Sequence, residues 1–224
     1  MTSEETDQFE RDFVAAKEMA QRLSQSLPKS IEVAALGVRS KAPYQLLVVR
    51  EALIWRTEEL ARNACNSLES DDFAVAAILT RAITENAALT WKLKEILDKR
   101  AGKSPEELNT ALMRALAGSS TWEDAPAPYN VLSCLDTLSK TIDGARQTYE
   151  SLSEIAHPNW RGVLGLYSKT DREKFITYFG HGLGDSLAKR QIATALCAAL
   201  GVFEYAYNAI SNTMPQWISE LEPF

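Results

Sequence analysis

The sequence predicts an all-α fold, an antiparallel bundle of six to seven helices carrying one small β-hairpin at about 163–180. Three observations predict it. Alanine and leucine make up a quarter of the 224 residues, while ten glycines and eight prolines are too few to turn a chain of many short strands. Apolar residues recur at three- and four-residue steps over most of the length. Only in Val163–Lys169 and Lys174–Gly180, either side of a polar TDRE, does the pattern become aromatic and β-branched with a two-residue period.

The elements follow in order. Phe9, Phe13, Ala16, Ala20, Leu23 and Leu27 form a stripe over about 5–27 that Pro28 ends. Pro43 suits the first turn of a second helix, with Leu46, Leu53, Leu60 and Leu47, Ile54, Ala61, Cys65, Leu68 as adjoining stripes. Ser70, Asp71 and Asp72 stop it and can cap a third helix to about Asp98. Ser104-Pro-Glu-Glu107 combines a capping serine, proline at the first helical position and a glutamate three residues on; that helix ends before Gly118. After a loop at 118–128, two shorter helices are expected at about 129–140 and 143–156, the second stopped by Pro158. Beyond the hairpin, Ile192, Leu196, Ala199, Phe203, Ala206 and Ile210 mark a long helix over about 185–212, and Pro215 opens a last short one containing Trp217. No repeat, low-complexity tract or linker divides the chain. Residues 1–224 are read as one helical domain with its first helix at the periphery.

Charge and cysteine usage restrict the function classes. A net charge of −6 argues against broad, sequence-independent binding of nucleic acid or anionic membrane. The longest charge-free apolar stretch, Gln191–Phe203, is too short to span a bilayer and reads as a buried helix. The acidic start MTSEETDQFERD lacks the apolar core of a signal peptide. Three well-separated cysteines, Cys65, Cys134 and Cys197, read as reduced, buried thiols of a cytoplasmic protein.

Chemistry concentrates in two places. Arg81 and Glu85 interrupt a helix that is apolar nearly all round, one turn apart and facing the same way. They are either a structural ion pair or a functional arginine held by glutamate; Arg50, Glu51 and Arg56 have the same two readings. The richer stretch runs from Tyr149 to Gly162. His157 sits where proline ends a helix, and the helix dipole and Glu154, one turn back, both favour a cation there. Histidine is the residue type suited to proton transfer at neutral pH. Asn159, Trp160 and Arg161 follow on irregular backbone within reach of a ligand. The plainer reading is a helix-stop histidine, with Asn159 ordering the turn. Tyr149, Ser153 and His157 follow one edge of the helix, so that Glu154, Asn159, Arg161 and Arg81 can converge there on an anionic ligand. Glu154-x-x-His157 has the spacing of di-iron bundles, which need a second such motif; with two histidines in the chain, no metal and no cofactor is expected. The GHGLG at 180–184 reads as a hairpin-to-helix turn rather than an anion cradle.

Three segments, LTRAITENAALTWKL (79–93), YESLSEIAHPNWRGVLGLYSK (149–169) and ATALCAALGVFEYAYNAI (193–210), resemble an uncharacterised bacterial all-helical family. Its pattern is R-x-x-x-E, then Y-x-x-L-S-E-x-x-H-P, a short β excursion and a final long helix, covering about residues 44–220. That family in turn resembles the HEPN-like superfamily, several of whose members are metal-independent endoribonucleases of bacterial stress and defence systems. The resemblance implies a homodimer and RNA as a partner. The ribonuclease motif R-x4–6-H is absent: Arg146 is the nearest arginine before His157, with ten residues between. Two functions are therefore expected: a helical module binding a partner or small anionic ligand, or a ribonuclease. In the second, His157 would act on a ribose 2′-OH while Arg161 or Arg81 neutralises the phosphate.

Overall fold

The computed structural model describes residues 3–183 and 186–223, with side chains from Asp7 onward apart from that of Ser186. Gly184 and Asp185, expected to close the GHGLG turn and open the last helix, lie outside them. The fold is an all-α bundle with one two-stranded antiparallel hairpin. In chain order come α1 (Ser3–Gln25), a 3-10 turn (Ala34–Leu36), α2 (Ala42–Glu69), α3 (Phe73–Asp98), α4 (Pro105–Leu116) and α5 (Val131–Leu138). Then follow α6 (Ala145–Ala156), a single turn α7 (Leu164–Tyr167), β1 (Ser168–Asp171), β2 (Ile176–Phe179) and α8 (Ser186–Ser219).

Local signals set the ends of these elements. The Ser104 hydroxyl accepts the Glu107 amide at 3.2 Å and the Glu107 carboxylate accepts the Ser104 amide at 2.7 Å. These two bonds satisfy two donors that the start of α4 would otherwise leave bare. The bond from the Ser104 amide also holds the Glu107 carboxyl below its usual range. Asn130 caps α5 by accepting from the amides of Leu132 and Ser133.

Two boundaries differ from the sequence reading. The first strand begins at Ser168, because Leu164–Tyr167 closes a helical turn that buries Leu166 and lets the Ser168 hydroxyl donate back to the Leu164 carbonyl at 2.7 Å. The alternation of VLGLY is too short to separate a strand from a turn of helix. Pro215 opens no new helix: α8 continues through it to Ser219. Met214 and Trp217, both buried, hold that stretch by packing, which outweighs the bond that proline removes. By length and composition alone, Leu187–Ser219 could cross a membrane, yet Ile192, Leu196, Phe203 and Ile210 on it are fully buried, as in a core helix.

The chain divides into two compact units, to both of which α2, α3 and α8 contribute residues. The first comprises 1–25, 57–84 and 143–201. Ala16, Leu68, Ile83, Leu152, Ile155 and Leu196 make its core. Lys17 bridges to Glu69, and Lys189 to Asp71 at 2.6 Å. The second comprises 26–56, 85–142 and 202–224, with Leu46, Ile54, Leu93, Leu112, Leu138 and Phe203 inside. Each of the leucine, isoleucine and phenylalanine side chains contributes about 1.5–3 kcal/mol by leaving water.

The second unit also holds the Arg50 and Glu51 pair. Arg50 donates to Glu51 and, at 2.8 Å, to the Ser211 hydroxyl, and its guanidinium lies 4.4 Å from the centre of the Tyr207 ring. Tyr207 donates its hydroxyl to the other Glu51 oxygen. Every charge is answered within the cluster, so these residues are structural. Arg56 donates to Asn86 at 3.2 Å. Cys65 and Cys134 are buried free thiols and Cys197 a half-buried one; burial pushes the Cys65 thiol up to about 11.

Candidate functional site

Helix α6 and the turn after it organise the site, which belongs wholly to the first unit. Tyr149, Leu152 and Ile155 form the buried face of α6. The helix stops at His157, whose backbone is extended (φ −85°, ψ 150°), as its proline neighbour requires. The chain then folds back in a tight turn. Asn159 accepts the amides of Arg161 at 2.9 Å and Gly162 at 3.0 Å with its side-chain oxygen, and donates from its nitrogen to Glu154 at 2.6 Å. Gly162 lies so close to the end of α6 that a Cβ there would stand 2.1 Å from the His157 carbonyl oxygen and 2.5 Å from that of Ile155. No other residue fits without moving backbone.

This turn aims Arg161 at the groove between α6 and α8. Its guanidinium donates to the Ser151 hydroxyl at 3.1 Å and to the Gln191 side-chain oxygen. Both acceptors are neutral. Among the described residues no carboxylate lies within ion-pair distance of Arg161, although its side chain is half-buried. Ser151 and Gln191 line a cleft of about 470 Å³ whose other polar walls are Gln8, Gln147, Thr148, Arg190 and Thr194. Among the described residues, Arg190 is the one charged residue lining it; a carboxylate, Asp12, accepts from Thr194 and from Gln8 beside it.

Arg81 reaches α6 from α3. It donates to the Ser153 hydroxyl at 3.0 Å and to the Tyr149 hydroxyl, and its guanidinium lies 4.7 Å from the centre of the Tyr149 ring. Arg81 is half-buried, as is Glu85, which belongs to the second unit.

The structure therefore brings together Arg81 with Tyr149 and Ser153, Glu154 with Asn159, and Arg161 with Ser151 and Gln191. It does not hold the His157 ring as expected: His157 is exposed, and the carboxylate expected to orient it is engaged by Asn159. Trp160 stands out from the turn at 73% exposure. Ser151, Gln191 and Arg190 went unnoticed in the sequence. Ser151 shares a helical face with Gln147 and Thr148, a visible polar stripe, but nothing in the sequence shows that this face meets α8.

No protein-family model, no curated protein and no solved structure matches this chain.

Proposed function

We propose that this protein is a cytoplasmic helical module that binds a small anionic ligand, or a partner presenting an anionic group, at Arg161 and the cleft between α6 and α8. The observation that carries the reading is the state of Arg161. Its half-buried guanidinium is oriented by two neutral acceptors, so its charge is desolvated in part and, among the described residues, uncompensated by a carboxylate. An incoming phosphate or carboxylate would supply that compensation through charge-assisted bonds, with Ser151 and Gln191 fixing the geometry. Binding is favoured over catalysis because a general acid or base must be held within reach of the proton it moves. Among the described residues, none holds the exposed His157 ring.

One observation favours the HEPN-like ribonuclease instead. A single Asn159-ordered turn separates His157 from Arg161, leaving the imidazole open to a ribose 2′-OH while an arginine follows on the same loop. A role in bacterial stress or defence belongs to the binding reading. The two are separated by calorimetric titration with inorganic phosphate, pyrophosphate and a nucleoside monophosphate, run beside incubation with total RNA in EDTA. The binding reading expects saturable binding that weakens about tenfold or more in Arg161→Gln, the loss of one charged hydrogen bond, and intact RNA. EDTA-resistant cleavage that disappears in His157→Ala would establish the ribonuclease.

A further inference from the structure

The hairpin of the first unit is unusual in what it leaves uncovered. All four residues of β2 are exposed, and the sheet has two strands, so each strand has an open edge. Its register pairs Ser168 with Phe179, Lys169 with Tyr178, Thr170 with Thr177 and Asp171 with Ile176. The Gly180 amide donates to the Tyr167 carbonyl at 3.1 Å, which makes Tyr167–Gly180 a hydrogen-bonded pair. Antiparallel pairs alternate, so Tyr178 and Ile176 direct their backbone groups toward β1. Thr177 and Phe179 therefore direct theirs outward, along the free edge.

Natural edge strands are protected by lysine, proline, inward charges or bulges. β1 carries Lys169 and Asp171, whereas β2 reads Ile-Thr-Tyr-Phe and has no such device. The surroundings are apolar too. Phe175 is 92% exposed, Trp160 73%, Phe179 72% and Tyr178 47%. Ile176 and Tyr178, 43% and 47% exposed, lie on one face of the hairpin and Phe179 on the other, so pairing along the β2 edge would continue an apolar row across each face.

The geometry points to a second copy of this chain as the occupant, paired edge to edge through β2 about a two-fold axis centred on Tyr178. In that register Thr177 and the partner's Phe179 exchange both backbone bonds, as do Phe179 and the partner's Thr177, while the two Tyr178 residues face each other as a non-hydrogen-bonded pair. The alternatives are excluded by the strand's own limits. Centring on Thr177 would bring in Phe175, whose φ of 54° breaks the strand, and centring on Phe179 would run into His181 beyond its end. The absence of charge on β2 means that a two-fold arrangement brings no like charges together. Both hairpins join into a four-stranded sheet, and the two Phe179 rings lie diagonally on one face, within aromatic reach.

Light scattering and sedimentation of the full chain test this. The wild type is expected at twice the 24.9 kDa chain mass. Phe179→Lys, which supplies the missing edge charge, and Thr177→Pro, which removes an outward amide without touching the ladder to β1, should both halve that mass while leaving the helical circular dichroism intact. Tyr178→Cys should form an intermolecular disulfide on mild oxidation, whereas the wild type, with its three native thiols, should not. A wild type at single-chain mass at all accessible concentrations overturns the proposal. So does a dimer that survives both edge variants and gives no Tyr178→Cys cross-link. A monomer that instead deposits the hairpin on lipid vesicles or RNA overturns it as well.

Discussion

Replacing Gly162 with alanine puts the turn that positions Arg161 under direct load. The added Cβ would lie 2.1 Å from the His157 carbonyl oxygen and 2.5 Å from that of Ile155. Carbon–oxygen contacts settle near 3.3 Å or beyond, so about 1 Å of movement is required. Neither obstacle is a flexible side chain. Both are backbone at the end of α6, and the Gly162 amide is itself tied to Asn159 at 3.0 Å. The cost therefore falls at the upper end of overpacking, about 3 kcal/mol. For a chain of this size that lowers the melting temperature by about 6–12 °C. Thermal and urea melts followed by circular dichroism measure it, with Gly102→Ala, whose Cβ meets nothing within 4 Å, as the matched control. A Gly162→Ala protein that melts with the wild type would refute the close approach, and with it the account of how Arg161 is aimed.

Three further outcomes are expected. Gly201→Ala, inside α8 and with nothing within 4 Å of the new Cβ, should stabilise the protein by about 0.5–1 kcal/mol in urea melts. Ser104→Ala removes the cap of α4 and should cost about 1 kcal/mol, seen as faster amide exchange in the first turn of that helix. Tyr207 is pushed up to about 12, chiefly by burial and by its bond to Glu51. The folded state thus holds the phenol proton more tightly than the unfolded chain. That contribution is complete below the unfolded value near 10 and is lost as pH rises to about 12. Between those values Tyr207→Phe should lose stability less steeply than the wild type; parallel curves would contradict the buried phenol.

How far the fold can be read from the sequence depends on whether each signal is local. The stripes from Phe9 to Leu23 and from Ile192 to Ile210 place α1 and α8 because burial on one face imposes a 3.6-residue period. Ser104 and Glu107 mark the start of α4, and Pro158 the end of α6, because capping and proline sterics act within four residues. Leu164–Tyr167 and Pro215 depart from their local signals for the complementary reason. Burial of Leu166, Met214 and Trp217 decides those segments, and burial is set by residues distant in sequence. The site divides in the same way. Asn159 ordering the turn is legible locally, whereas Glu154 faces two nearby claimants, His157 and Asn159, and geometry gives it to Asn159. That Ser151 and Gln191, forty residues apart in the chain, meet across Arg161 requires α6 beside α8, and no spacing in the chain states it.

The central claim is that Arg161 offers an anion an oriented guanidinium that no carboxylate among the described residues compensates. Side-chain nitrogen–proton NMR of the arginines during titration with inorganic phosphate reads that group directly. A saturable shift of the one resonance that vanishes in Arg161→Gln, with the backbone amides of Ser151 and Gln191 moving in step, is the predicted result. An Arg161 resonance that stays fixed throughout the titration, or phosphate-induced shifts that persist in Arg161→Gln, would contradict it.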